Sequence, residues 1–440
     1  MSTVNINLKG NMETLKVGSK MENIQEIVRE RAKSHEKVYA LMSFVNKDNL
    51  KAVHRKQDKN KAPGMDGITK EMYERNLDTN LDSLIQRMKQ FSYRPLPVKR
   101  IYIDKGNGKK RPLGLPSYED RLVQGVMKKV LEGIYETKFY DFSYGFRPRR
   151  RAHDAVLRVN HHIMFNKVNY IVDCDIKGFF DNIDHKWMMK FLEHDIADKN
   201  FLRYIKRFLI GGILEEGKVI SSDKGTAQGS LMSTVLANVY LHYVLDDWYA
   251  KGIKRNYKGE VYLVRYADDF VVMFQYENEA RKFIVELEER MAKFGLEIER
   301  EKTRILPFGK YKGTKETFDF LGFTFINGKT RKNKYRVIFR TSKKKLKQKK
   351  AGLKKWINEK MHEQMAEIVK KLNEKLAGHY AYYGIFSNYI GIRNYYEYAK
   401  YHFMKCMRRR SQRPISWKRL IIFMKHIPLK VPRLYVTKGY

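Results

Sequence analysis

Apolar residues recur at spacings of three and four through Val38, Leu41, Met42 and Val45, which predicts a helical segment from Met21 to about Val53. Pro and Gly in KNKAPGMDG (Lys59 to Gly67) interrupt that pattern, and a further helix is expected up to about Phe91. Val98 to Asp104 reads as a strand, KGNGKK (Lys105 to Lys110) as a turn, and Arg111 to Leu115 as the returning strand of a hairpin with a cationic tip. Helical patterning resumes over residues 118 to 140 and again after the basic loop FSYGFRPRRRAHDA. Asn169 to Asp175 is a short apolar strand, and Val219 to Lys224 is a second candidate, followed by a loop and a helix through Asp246. VYLVRYADDFVVMF, Val261 to Phe274, is two apolar runs around a tight polar turn. Ala280, Phe283, Ile284, Leu287 and Met291 then mark one face of a helix that Gly295 would cap, and Phe318 to Phe325 reads as a strand containing Gly322.

Residues 1–20 have the character of a loose tail, and 21–60 of an N-terminal extension. From Lys329 to Lys350 there are twelve Lys and Arg and no acid, after which the chain is helical and rich in Tyr. That shift suggests a boundary near 330–345, separating 61–330 from 331–440. Over the whole chain, 89 Lys and Arg against 49 Asp and Glu give +40, a charge that draws polyanions and makes nucleic acid the first partner to consider. A 43% hydrophobic content is enough for real cores and excludes wholesale disorder. Two cysteines, Cys174 and Cys406, exclude a disulfide framework and a four-cysteine zinc module. Without an apolar run of about 18 residues or a signal-like N-terminus, the expectation is a soluble, cytoplasmic, intracellular protein with no membrane partner.

Tyr266-Ala267-Asp268-Asp269 sets two carboxylates side by side at the tip of an apolar hairpin, where their mutual repulsion favours a neutralising cation. Asp is also a common turn residue, so these four positions alone leave both readings open. Asp175 changes the weighing, because it ends the strand YIVDCD. An acid ending one strand and acids on a second hairpin can hold a pair of Mg²⁺ ions about 3.5–4 Å apart, one activating an attacking hydroxyl and the other stabilising the leaving oxygen. Asp175 and Asp268 would bridge both ions, while Asp173, Asp181 and Asp184 read as solvated or salt-bridged structural residues.

Nine segments in order carry a resemblance: GMDGI (Gly64 to Ile68), RPLGLP (Arg111 to Pro116), SYGFRPRRRAHDA (Ser143 to Ala155), DCDIKGFFDNIDH (Asp173 to His185), GTAQGSLMSTVLANVYLH (Gly225 to His242), RYADDF (Arg265 to Phe270), EIEREKTRI (Glu297 to Ile305), DFLGFTF (Asp319 to Phe325) and LNEKLAGHYAYYG (Leu372 to Gly384). Together they resemble the group II intron reverse transcriptase and maturase family from about residue 35 onward. The resemblance implies an α+β right-hand polymerase with fingers, a palm built on an antiparallel sheet, and an α-helical thumb or maturase domain. It implies RNA-directed DNA synthesis with two Mg²⁺ ions, for which Mn²⁺ can substitute. RNA template, DNA primer or target and dNTPs would be its partners, with a structured group II intron RNA bound and helped to splice. A relative serving phage defence or DNA repair, or a maturase that only binds RNA, are the competing expectations.

By the same resemblance Asp175, Asp268 and the Ile176 backbone hold metal, and Asp269 supports them. Lys105 and Arg111 contact the triphosphate, unless they are simply a solvated basic turn. Phe179 excludes a ribose 2′-hydroxyl, with a core phenylalanine as the competing reading, Gln228 touches the templating pair or incoming nucleotide, and Lys302 approaches primer or phosphates. Arg147, Arg149 and Arg150 of the basic loop and Lys343, Lys344 and Lys345 are candidates for RNA phosphates. Tyr380, Tyr383 and Tyr395 read better as packed core than as base-stacking platforms. One departure is the run Thr226-Ala227-Gln228-Gly229, where the family usually has Pro before the Gln. Two isolated cysteines do not make the metal-binding endonuclease some members carry.

Overall fold

The computed structural model describes residues 20–104, 110–215, 218–220, 223–226, 229–410 and 415–437. The chain divides into two compact units. One comprises the residues up to Tyr102 with Pro112–Phe139 and Phe180–Tyr240; the other comprises Ile103–Arg111, Tyr140–Phe179 and the chain from Leu241. Helices and strands alternate along the chain, but the strands pair almost wholly antiparallel, so the fold class is α+β.

The first unit is organised around the helix Tyr118–Tyr135, of which only Glu119, Lys128 and Lys129 escape burial. Gly125 and Gly133 let neighbouring helices lie against it, since a Cβ would come within 2.6 Å of Val53 Cγ1 at the first and 2.9 Å of Val28 Cβ at the second. The helix expected over 21–53 breaks in two, Lys20–Ser34 and Lys47–Lys56. Tertiary hydrogen bonds take over in between: Val38 N–H donates to Asp195 O (2.9 Å), and Leu41 and Met42 N–H donate to Asp198 Oδ2 at 2.7 and 3.0 Å. Asn46 then caps the second helix by accepting from Asn49 N–H. Val98–Asp104 is a strand as expected, but it also pairs in parallel with Ile213–Glu215, which periodicity along one segment does not encode.

In the second unit a four-stranded antiparallel sheet runs in the order Val261–Tyr266, Asp269–Phe274, Tyr170–Cys174, Arg304–Pro307. The helix Glu277–Lys293 packs on it through Ala280, Phe283, Leu287 and Met291, while Ile284 is only half-buried. Gly295 follows at φ +73° and closes the helix as expected. The single strand expected over 318–325 is a hairpin, Thr317–Phe320 and Phe323–Lys329, because Leu321 and Gly322 both take positive φ (+51° and +78°) and reverse the chain. Tyr335–Thr341 returns beside it, so the proposed cut at 330–345 falls within a hairpin. One apolar core joins Ile171, Val271 and Phe325 to Leu353, Leu372 and Phe403 of the later helices. Tyr380, Tyr383 and Tyr395 are buried in that core. Among the described residues no helix is long and apolar enough to cross a membrane.

Candidate active site

Strand register brings the acids together. Cys174 stands opposite Phe270 and Asp173 opposite Val271, so Asp175, one residue beyond the strand, reaches the level of Asp269 at the hairpin mouth. Tyr266 and Asp269 form the last pair of the hairpin, leaving Ala267 and Asp268 as a two-residue turn. Ala267 has φ +58°, a left-handed conformation that costs an L-residue roughly 1–2 kcal/mol. Beyond Asp175 the chain keeps pairing: Glu299 N–H donates to Asp175 O (2.8 Å) and Lys177 N–H to Glu297 O (2.9 Å). This antiparallel pattern turns the Ile176 N–H and C=O to the opposite side, that of the strand Asp269–Phe274.

The negative charge is poorly balanced. Burial, then the charges of Asp173, Asp268 and Asp175, push the Asp269 carboxyl up to about 7, against a bond from the Leu321 backbone. Burial lifts Asp173 to about 6, opposed by Arg304 and reinforced by Asp319 and Asp175. Lys302 Nζ donates to Asp175 Oδ2 at 2.5 Å, and that bond raises the Lys302 pKa above its usual value. Among the described residues no three acid, His or Cys side chains converge as a ready-made metal cage. The donor set still fits a hard divalent cation: carboxylate oxygens with excess charge, one of them already neutralised by an ammonium.

These shifts have a stability consequence. Unfolded, both carboxyls ionise near 4, whereas the folded protein retains their protons to about 6 and 7. The unfolded state therefore gains as pH rises through that window, and metal-free stability falls from about pH 4 to 7. Asp269→Asn is expected to melt roughly 2 °C or more above the parent at pH 8 in chelator, with the difference gone at pH 4; a pH-independent difference would show that the carboxyl is not strained.

Residues 103–325 match the family described as reverse transcriptase (RNA-dependent DNA polymerase). The chain belongs to the reverse transcriptase family. Over 307 residues it is 31% identical to protein YkfC of Escherichia coli (strain K12), covering 63% of this chain and 79% of YkfC. Over 184 residues it is 39% identical to the group II intron-encoded protein LtrA of Lactococcus lactis subsp. cremoris, covering 42% of this chain and 30% of LtrA. A 183-residue span is 38% identical to an uncharacterized 91 kDa protein in the cob intron of Schizosaccharomyces pombe, covering 41% of this chain and 22% of that protein. The chain thus spans most of YkfC but under a third of LtrA.

Other residues singled out for a reverse transcriptase role lie in varied settings. Lys105 and Gln228 are outside the described residues, and Arg111 is described only as part of the strand Lys110–Leu115. The chain just past Gln228 is held by Gln124, whose Oε1 accepts from Ser230 Oγ (2.7 Å) and Leu231 N–H (3.2 Å). Phe179 is buried. Arg147 is buried as well, and its Nη1 donates to Tyr140 O and Ser143 O at 2.7 Å each, so it braces its loop instead of facing solvent. Arg150 pairs with Asp141 at 2.8 Å, and Arg149, Lys343, Lys344 and Lys345 are exposed. Asp184 caps the helix His185–Asp195, in keeping with a structural role. Three residues around the acidic turn have no role assigned from the sequence: Gly145, Asp246 and Arg265. Arg265, directly before the Tyr-Ala-Asp-Asp run, was the one with a visible signal.

Proposed function

We propose that this chain copies RNA into DNA in a right-hand polymerase, with fingers and palm from residue 61 and a helical thumb that follows the hairpin ending at Thr341. The observation that carries the reading is the placing of Asp175 and the Asp268-Asp269 turn on neighbouring strands of one sheet. Asp175 and Asp268 would hold two Mg²⁺ ions, assisted by Asp269 and the Ile176 carbonyl. Bound divalent ions supply the positive charge that favours the primer 3′-alkoxide and offsets charge on the departing pyrophosphate. A cation held at Asp175 would take the place of the Lys302 ammonium there, leaving that ammonium for phosphate oxygens.

Lys302→Ala removes the competing cation from Asp175. Mn²⁺ affinity of the free protein is then expected to rise about threefold, measured by electron paramagnetic resonance, while primer extension slows by roughly tenfold. Unchanged affinity would mean that the ion pair is not at the metal site.

RNA contacts are assigned to Arg149, Arg150 and Lys343–Lys345. The lysines open the helix Lys343–Glu359, which has no acid in its first turn, so the positive end of the helix dipole and three ammonium groups reinforce one another. A phosphate backbone relieves that repulsion. The likeness to an intron-encoded protein supports a second role, binding a group II intron RNA and assisting its splicing. The decisive experiment is primer extension by the purified chain on an RNA template with dNTPs and Mg²⁺, run beside a splicing assay on the RNA that co-purifies with it. Template-dependent cDNA supports the polymerase reading, and its absence under all template and metal conditions rejects it.

A further inference from the structure

The sheet fixes the backbone of the hairpin only as far as the Tyr266–Asp269 pair; the Ala267-Asp268 turn lies beyond the ladder. Something else must hold it, the more so because Ala267 sits at positive φ. We propose that Gly145, Arg265 and Asp246 form a clamp behind this turn, and that as positioning residues they set where the Asp268 carboxylate stands. The inference rests on the reading of Asp268 as catalytic.

Arg265 is fully buried and reaches forward to its own turn. Its Nη1 donates to Ala267 O at 3.0 Å, while Nε donates to Asp246 Oδ1 at 2.7 Å and Nη2 donates to Asp246 Oδ2. Asp246, equally buried, ends the π-helical turn His242–Asp246, so the guanidinium is anchored from a separate element before it reaches the turn. A planar fork that spans a carboxylate and a carbonyl fixes direction as well as distance, which an ammonium does not. From the other side, Phe142–Gly145 lies along the hairpin edge: Arg265 N–H donates to Phe142 O (2.9 Å) and Tyr144 N–H to Arg265 O (2.8 Å). Gly145 then passes so close that a Cβ there would lie 2.2 Å from Ala267 N. The neighbouring atom is backbone, so any larger residue must push the turn itself. The carbonyl of Ala267 is thus tethered and its amide side walled, leaving the turn one position.

The test uses the full chain with primed RNA, dNTPs and Mg²⁺, and compares Gly145→Ala, the paired change Asp246→Leu with Arg265→Met, and Asp268→Asn. Replacing a buried ion pair by packed apolar groups is often neutral for stability, so the paired variant keeps a folded chain without the donor to Ala267. In both clamp variants kcat is expected to fall roughly tenfold or more, with the dNTP KM and RNA affinity within about threefold. Mn²⁺ affinity of the substrate-free protein, read by electron paramagnetic resonance, is expected to weaken about threefold or more while the thermal midpoint stays near the parent's. Parental kcat and Mn²⁺ affinity in the folded variants would overturn the clamp. So would a fall in kcat that merely follows the unfolded fraction. An active Asp268→Asn protein would reject the catalytic reading beneath it, whereas an inactive one beside fully active clamp variants rejects the clamp alone.

Discussion

Asp268→Asn is expected to lower primer extension on an RNA template on the order of a thousandfold or more. Asn keeps the size of the side chain and one oxygen but loses the charge, and a hard divalent cation is held chiefly by charge. Nothing else need move. The half-buried Asp268 side chain lies at the tip of a turn that the Tyr266–Asp269 pair and the Ala267 carbonyl bond hold from behind. Binding to RNA, proposed to rest on cationic side chains elsewhere, should therefore stay within a few-fold in a filter or anisotropy assay. Loss of RNA binding in parallel with catalysis would point to a damaged fold, and retained extension would remove Asp268 from the mechanism.

Asp246→Ala is expected to destabilise the protein by about 3–5 kcal/mol, because it leaves the Arg265 guanidinium in a dry interior without its counter-charge. Both side chains are fully buried, so solvent does not screen the loss. The comparison that isolates the cause is the paired apolar change at Asp246 and Arg265. Chemical denaturation of the two proteins should give a much lower midpoint for Asp246→Ala than for the pair. Equal destabilisation would mean that lost packing, and not the stranded charge, is responsible.

Much of the candidate site was legible because its chemistry is local. The apolar runs on either side of Tyr-Ala-Asp-Asp encode a hairpin with acids at its tip, and YIVDCD encodes a strand that delivers Asp175 to an end; register then sets the two side by side. Charge was equally plain, since a +40 chain states its preference for polyanions without folding. The periodic positions of segment 21–53 fit one helix by themselves, while the bonds from Leu41 and Met42 to Asp198 that break it come from far along the chain. Phe318 to Phe325 reads as one strand containing Gly322, but paired positive φ angles at Leu321 and Gly322 make a reversal. Arg147 looked like another phosphate contact in a run of arginines until its burial committed it to two carbonyls.

By itself, then, the sequence determined most of the elements, the preference for polyanions and the acids with the strand and hairpin that carry them, all of which follow from side-chain type and spacing over a few residues. Only the tertiary structure decided which charges stay free and which are consumed. Asp246 joins Arg265 across 19 positions, Lys302 joins Asp175 across 127, and Gly145 abuts Ala267, contacts that no local period records. Such pairings depend on how sheets and helices close on one another, and it is that closure which removes water and gives a charge or a missing Cβ its consequence.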